Sequence, residues 1–150
     1  MNQFWPDDDD GSRSRLTRAP LLGVSVLVVE DDALSREGLS LVLESYGAEV
    51  SSVSNAPAAL ETLDDTHPSV LISDIGLPGE DGLRLIRRIR MDEHSSPRRL
   101  PAIALSGFSD PALPGISVSA GFDCFLAKPV DIPALIAAVA RLVASRRASL

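Results

Sequence analysis

One cysteine, one lysine and two histidines occur in 150 residues, and each shortage excludes something. A lone Cys124 permits no internal disulfide, so a reducing compartment is compatible and an oxidising one gains no support. Beside the apolar Phe125-Leu126-Ala127 it reads as an inert buried residue. No run of about 18 apolar residues exists, so no membrane span is expected. The richest late stretch, Leu135 to Ala144, is interrupted by Arg141. The N-terminus has no basic start followed by an apolar stretch, so no secretory signal is read. Basic charge is scarce as well. Fourteen Lys and Arg against 21 Asp and Glu leave a net charge of −7, which argues against a nucleic-acid surface. A soluble cytoplasmic domain, with no membrane and no direct nucleic-acid partner, is the expectation.

What is present is an alternation of strands and helices. Val26-Leu27-Val28-Val29 precedes Glu30-Asp31, and Val70-Leu71-Ile72-Ser73 precedes Asp74. Ala102-Ile103-Ala104-Leu105 precedes Ser106, and Phe125-Leu126-Ala127 precedes Lys128. Short apolar runs without alternation fit strands of a parallel sheet covered on both faces. Glu49 to Val53 reads as one more strand. Between them, helices are expected from about Ala33 to Tyr46 with Gly47 as cap, after Asn55 with Pro57 in the first turn, from Gly82, and from about Asp131. In the helix from Gly82, Leu83, Ile86 and Ile89 point inward and Arg84, Arg87, Arg88 and Arg90 largely outward. Five strand–helix units imply a doubly wound α/β sandwich. The fourth helix should be short or distorted, because Pro114 and Gly115 sit inside its segment. Residues 1–22 carry no period and read as a disordered tail, with Asp7 to Asp10 a solvated run. The domain proper is expected over 23–147, with 148–150 as its C-terminal end.

In such sheets, function collects at the carboxyl ends of the strands. Three carboxylates, a hydroxyl and an amine would meet there. A carboxylate can take a phosphoryl group if charge is neutralised and geometry fixed. Asp74 is placed for that, ahead of the tight turn Ile75-Gly76-Leu77-Pro78-Gly79-Glu80-Asp81-Gly82. Glu30 and Asp31 offer hard oxygen ligands, and crowded carboxylates call for a divalent cation such as Mg²⁺. Against thirteen arginines, the only lysine stands at a strand end, where a compact point charge is wanted. Ser106 offers a small donor to a phosphoryl oxygen. Asp32 reads as a helix cap, and Glu80 and Asp81 as exposed turn residues.

Taken in order, Glu30-Asp31, Asp74 with Leu77-Pro78 and Gly82, Ser106, and Lys128-Pro129 resemble the receiver domain of two-component response regulators, from about Val24 to Arg146. The resemblance implies a flavodoxin-like (βα)5 sandwich with a five-stranded parallel sheet in order 2-1-3-4-5. It also implies Mg²⁺-dependent phosphoryl transfer onto Asp74 from the phosphohistidine of a histidine kinase or phosphotransfer protein, in a self-phosphorylating signalling domain rather than a metabolic enzyme. Asp31, Asp74 and the Gly76 backbone carbonyl would ligate Mg²⁺, with Glu30 acting directly or through water. Lys128 would pair with the phosphoryl group, Ser106 would swing toward it, and Phe125 fills the aromatic switch position. Lys128-Pro129 would be a cis peptide. Gly76 and Phe108 hold the two positions that tune self-hydrolysis in the family, and neither can orient water with a polar side chain.

Output to a downstream protein would run through the face of the fourth helix, fifth strand and fifth helix, which could also support a homodimer. The chain would be a stand-alone regulator or the receiver of a hybrid kinase. A receiver-like docking module that works without phosphorylation is the alternative. A phosphohydrolase lacks a separate acid–base residue in this sequence. His67 and His94 lie in loops, whereas a relay histidine is expected on an exposed helix.

Overall fold

The computed structural model describes residues 3–4, 19–77, 79, 81–93 and 99–148. Strands β1 (Gln3–Phe4), β2 (Ser25–Val29), β3 (Glu49–Val53), β4 (Val70–Asp74), β5 (Ala102–Ser106) and β6 (Cys124–Ala127) form one sheet in the order β1-β6-β5-β4-β2-β3. Helices α1 (Ala33–Ser45), α2 (Ala56–Thr66), α3 (Gly82–Asp92), α4 (Leu113–Ala120) and α5 (Ile132–Ala148) complete it. The five strands from β2 onward are parallel, in the expected 2-1-3-4-5 order.

Alternation along the strands divides the core into two layers. Val26, Val28, Val70, Ile72, Ile103, Leu105, Cys124 and Leu126 pack toward α5 and Leu43 of α1. Leu27, Val29, Leu71, Ala102, Ala104 and Phe125 face Ala56 and Ala59 of α2, Leu85, Ile86 and Ile89 of α3, and Ala120 of α4. The inner strands β2, β4 and β5 therefore need apolar residues at consecutive positions, and the sequence has them; the edge strand β3, Glu49-Val50-Ser51-Ser52-Val53, does not.

The helices start where their caps stand. Asp32 accepts from Ser35 N–H, Asn55 from Ala58 N–H and Asp81 from Arg84 N–H, each at 2.9 Å. Asp81 is thus an exposed turn residue with a task. The β4–α3 turn closes because Gly82 has no side chain: a Cβ there would lie 2.8 Å from Ile75 Cα and also meet the Asp74 carbonyl. Its N–H donates to Ile75 O at 2.8 Å, which folds the turn back beside Asp74.

Three expectations change. The fourth helix is short but begins at Leu113, so Pro114 and Gly115 fall in its first turn, where proline fits, rather than its interior. Residues 1–22 are not structureless at both described ends. Gln3 and Phe4 pair antiparallel with Leu126 and Phe125, and Leu21 is fully buried, its N–H donating to Tyr46 O. The first reflects an open sheet edge that accepts any extended segment, the second a core that extends past Val24. Arg90 is not a solvated arginine: it donates to Gly121 O, Leu100 O and the Glu93 and Asp123 carboxylates. His94, Pro78, Glu80, Trp5 and the Asp7–Asp10 run lie outside the described residues.

Candidate functional site

Parallel register brings the predicted groups to one sheet edge. Val29 aligns with Ser73, Asp74 with Leu105, and Ser106 with Ala127, so the residues that follow β2, β4, β5 and β6 emerge together. Glu30 N–H still donates to Val53 O at 3.0 Å before the chain turns into α1. Glu30, Asp31 and Asp74 each offer a carboxylate oxygen, and these oxygens lie within 4.8 Å of one another. Glu30 and Asp74 are buried, whereas Asp31 is open to water.

Lys128 ties the group together. Its Nζ donates to Asp74 Oδ2 at 2.7 Å and to Glu30 Oε2 at 3.0 Å. Its backbone N–H donates to Ser106 O at 2.8 Å, and the Lys128-Pro129 peptide is cis, as expected. Three carboxylates around one ammonium leave the cluster net negative. Burial, reinforced by the nearby Asp74 carboxylate, raises the Glu30 carboxyl above its usual value despite Lys128. Burial opposes the charged form of Lys128, but its bonds to Asp74 and Glu30 win and hold the ammonium's pKa above the usual value. Asp32, fully exposed, is lowered by its bonds to Ser35.

The donor set fits a hard divalent cation. It supplies few carboxylates, one of them solvent-facing, which suits an ion that keeps several waters. Around this set, Gly76 N–H donates to Asp74 Oδ1 at 3.0 Å. The Ser106 hydroxyl accepts from Phe108 N–H at 3.0 Å and is fully buried. Ser106 is thus fastened to the adjoining loop rather than to Asp74. Phe125 is buried among the α2–α4 layer. Phe108 is 64% exposed, and its ring lies 3.2 Å from where a Gly76 Cβ would be, so it stands beside the Asp74 turn.

Sequence reasoning passed over Arg36. Its Nη1 donates to Glu30 O at 3.0 Å and more weakly to Asp31 O at 3.5 Å. The available signal was its place one turn after the Asp32 cap, which aims a long side chain back toward the strand end.

Residues 26–140 match the response regulator receiver domain family model. An uncharacterised 14.6 kDa protein of Leptolyngbya boryana is 39% identical over 111 residues, 74% of this chain and 83% of that protein. The transcriptional regulatory protein CseB of Streptomyces coelicolor is 37% identical over 114 residues, 76% of this chain but 47% of that protein. The chain therefore spans about half the length of that regulator. Among solved structures, the signal receiver domain of a signal transduction histidine kinase from Syntrophus aciditrophicus superimposes with a TM-score of 0.72 at 32% identity. That alignment covers 81% of this chain and 91% of the other.

Proposed function

The chain belongs to the response regulator receiver domain family, and from that premise we propose that it is a working phosphoacceptor, with Asp74 taking a phosphoryl group from a phosphohistidine. The observation that carries this reading is Lys128, bonded at once to Asp74 and Glu30 within a cluster of three carboxylates.

In the reaction a carboxylate oxygen of Asp74 bonds to phosphorus while the phosphorus–nitrogen bond to the donor imidazole breaks. The departing ring nitrogen keeps the bonding pair and takes a proton from solvent, and Asp74 becomes an acyl phosphate. Glu30, Asp31, Asp74 and the Gly76 carbonyl would hold Mg²⁺, which supplies charge neutralisation for the transferring group. Lys128 passes from a carboxylate oxygen to a phosphoryl oxygen as the charge it faces moves outward. The Ser106 hydroxyl turns from Phe108 N–H and donates to the new group. Phe125, on the same strand as the Ser106 partner Ala127, repacks with it and carries the change to the α4–β6–α5 face.

That face is proposed to engage a downstream protein, or a second copy, rather than nucleic acid, given the net charge of −7. A stand-alone regulator and a hybrid-kinase receiver remain the two settings. None of the described helices is long and apolar enough to cross a membrane, and the proposed location is the cytoplasm.

The test is the intact mass of the chain after incubation with acetyl phosphate and Mg²⁺. One added phosphoryl group is expected, absent without Mg²⁺ and absent in Asp74→Ala. An unlabelled wild-type chain that also fails to bind beryllofluoride would sink the phosphoacceptor reading.

A further inference from the structure

We infer that Arg36 is a positioning residue that sets the divalent-cation affinity of the Glu30–Asp31 pair, an inference resting on the reading of Glu30, Asp31 and Asp74 as a cation site. At Glu30 the chain leaves β2: its N–H is still paired to Val53 O, but the next peptides must turn sharply to reach the Asp32 cap. Carbonyls in such a turn have neither a strand nor a helix partner, and a part-buried carbonyl needs one. Arg36 N–H donates to Asp32 O at 2.9 Å, which places this residue one helical turn beyond the cap. Its side chain folds back, and one guanidinium nitrogen serves both the Glu30 and the Asp31 carbonyls.

Fixing those two carbonyls fixes two peptide planes, and with them the directions in which the Glu30 and Asp31 side chains leave the backbone. Those side chains must meet Asp74 from another strand, with ligand oxygens within 4.8 Å. Released from Arg36, the turn has freedom that the cation would have to remove on binding. Arginine suits the task because the two N–H groups of one guanidinium nitrogen lie in a fixed plane and can each face one of two adjacent carbonyls, whereas an ammonium is a point charge on a flexible stem.

Charge alone makes the opposite claim. A fixed positive group near the site repels a dication, so if Arg36 acted only through its charge, removing it would tighten binding. Positioning and repulsion therefore predict opposite signs.

The experiment is calorimetric titration of Mg²⁺ into the full chain, for wild type, Arg36→Ala, Arg36→Lys and the exposed control Arg84→Ala. Arg36→Ala is expected to weaken Mg²⁺ affinity at least about tenfold, as loss of groups that orient metal ligands does elsewhere. Arg36→Lys should stay within about threefold of Arg36→Ala, since it keeps the charge and loses the fixed plane of the guanidinium donors. Arg84→Ala should match wild type. In acetyl phosphate labelling, the Mg²⁺ concentration at half-maximal rate should rise with the dissociation constant while the rate at saturating Mg²⁺ holds. That split is one a general loss of structure would not give. Unchanged or tighter binding by Arg36→Ala, or full recovery by Arg36→Lys, would overturn the inference and leave the cation site standing. Should Arg36→Ala not fold, Arg36→Lys decides alone. Wild-type protein that binds no Mg²⁺ would overturn both readings.

Discussion

Glu30 bears the electrostatic cost of assembling the site. Its carboxyl is raised above 4.5, first by burial and then by Asp74, so the folded chain holds this proton more tightly than the unfolded one. A raised value means that the group's contribution to stability is complete below 4.5 and is lost as pH rises through the folded value. At neutral pH without divalent cations, ionised Glu30 is therefore a net cost. Lys128, also raised, loses its contribution only above 10.5, so it does not shape the neutral range. Glu30→Gln mimics the protonated form. We expect it to melt at a higher temperature than wild type at pH 7 without Mg²⁺, and to lack the stability loss above pH 4.5. Saturating Mg²⁺ should invert the order. Wild type gains about 2.7 kcal/mol at a hundredfold excess over its dissociation constant, and the variant gains less. Thermal melts from pH 4 to 8, with and without Mg²⁺, check both halves; a higher pH 7 melting temperature for metal-free wild type would contradict them. The acid pair, Asp74 and Lys128 were legible because each follows an apolar strand, and strand ends in a parallel sheet share an edge. Arg36 was not, because its partners are backbone carbonyls, which no residue pattern reveals. The fastening of Ser106 to Phe108 N–H was hidden for the same reason.

At the scale of elements, α4 shows how a breaker's cost depends on which turn it occupies. Counted from Asp110, Pro114 looks interior; counted from Leu113, it lies in the first turn, where its missing N–H costs nothing. The start was illegible because no side chain caps this helix. Ala112 stands at the cap position, and Asp110 Oδ1 accepts the Ala112 N–H two residues along instead. Asp32 and Asn55 do show as caps in sequence, whereas Asp81, which caps α3, reads there only as an exposed turn residue. Gly115 remains as the weak point. A Cβ there would meet nothing within 4 Å, and its φ is not positive, so neither packing nor conformation requires glycine. Gly115→Ala is expected to stabilise the chain by about 0.5–1 kcal/mol through reduced freedom of the unfolded state. Urea unfolding measures it, with the midpoint rising at unchanged slope; a fall would show that the first turn of α4 needs a conformation alanine resists.

Across the whole molecule, the two ends of the sheet have opposite electrostatic designs. At the carboxyl edge three carboxylates face one lysine, and the cluster stays undercompensated. At the other edge Arg90 joins α3 to the start of β5 and to the α4–β6 turn with its donors matched. It donates to Gly121 O at 2.9 Å, Leu100 O at 2.6 Å, Glu93 Oε1 at 2.9 Å and Asp123 Oδ2 at 3.3 Å. The carboxylates are held in turn: Glu93 accepts from Leu100 N–H at 2.7 Å, and Asp123 from Ala102 N–H at 2.9 Å and from Arg99. The sequence offered four arginines on one helix and a reading of all as largely outward. Arg90 alone among them is part-buried, because the residues it serves come from segments about 10 and 30 positions away. Burial lowers its pKa somewhat, yet the guanidinium stays charged across the working range. Removing it takes the charge partner from Glu93 and the donor from Leu100 O where water reaches them poorly, while Asp123 and Gly121 O keep their bonds to Arg99. Breaking a buried ion pair from one side costs about 3–5 kcal/mol, and the 15–18% exposure of these side chains places the value toward 3. Arg90→Met keeps the stem and loses the donors. It should lower the denaturation free energy by about 3 kcal/mol while the folded fraction binds Mg²⁺ and labels at Asp74 as wild type does. Urea unfolding and Mg²⁺ titration of the same preparation read the two separately. A stable variant with weakened Mg²⁺ binding would mean that the far edge regulates the site rather than bracing the sheet that presents it.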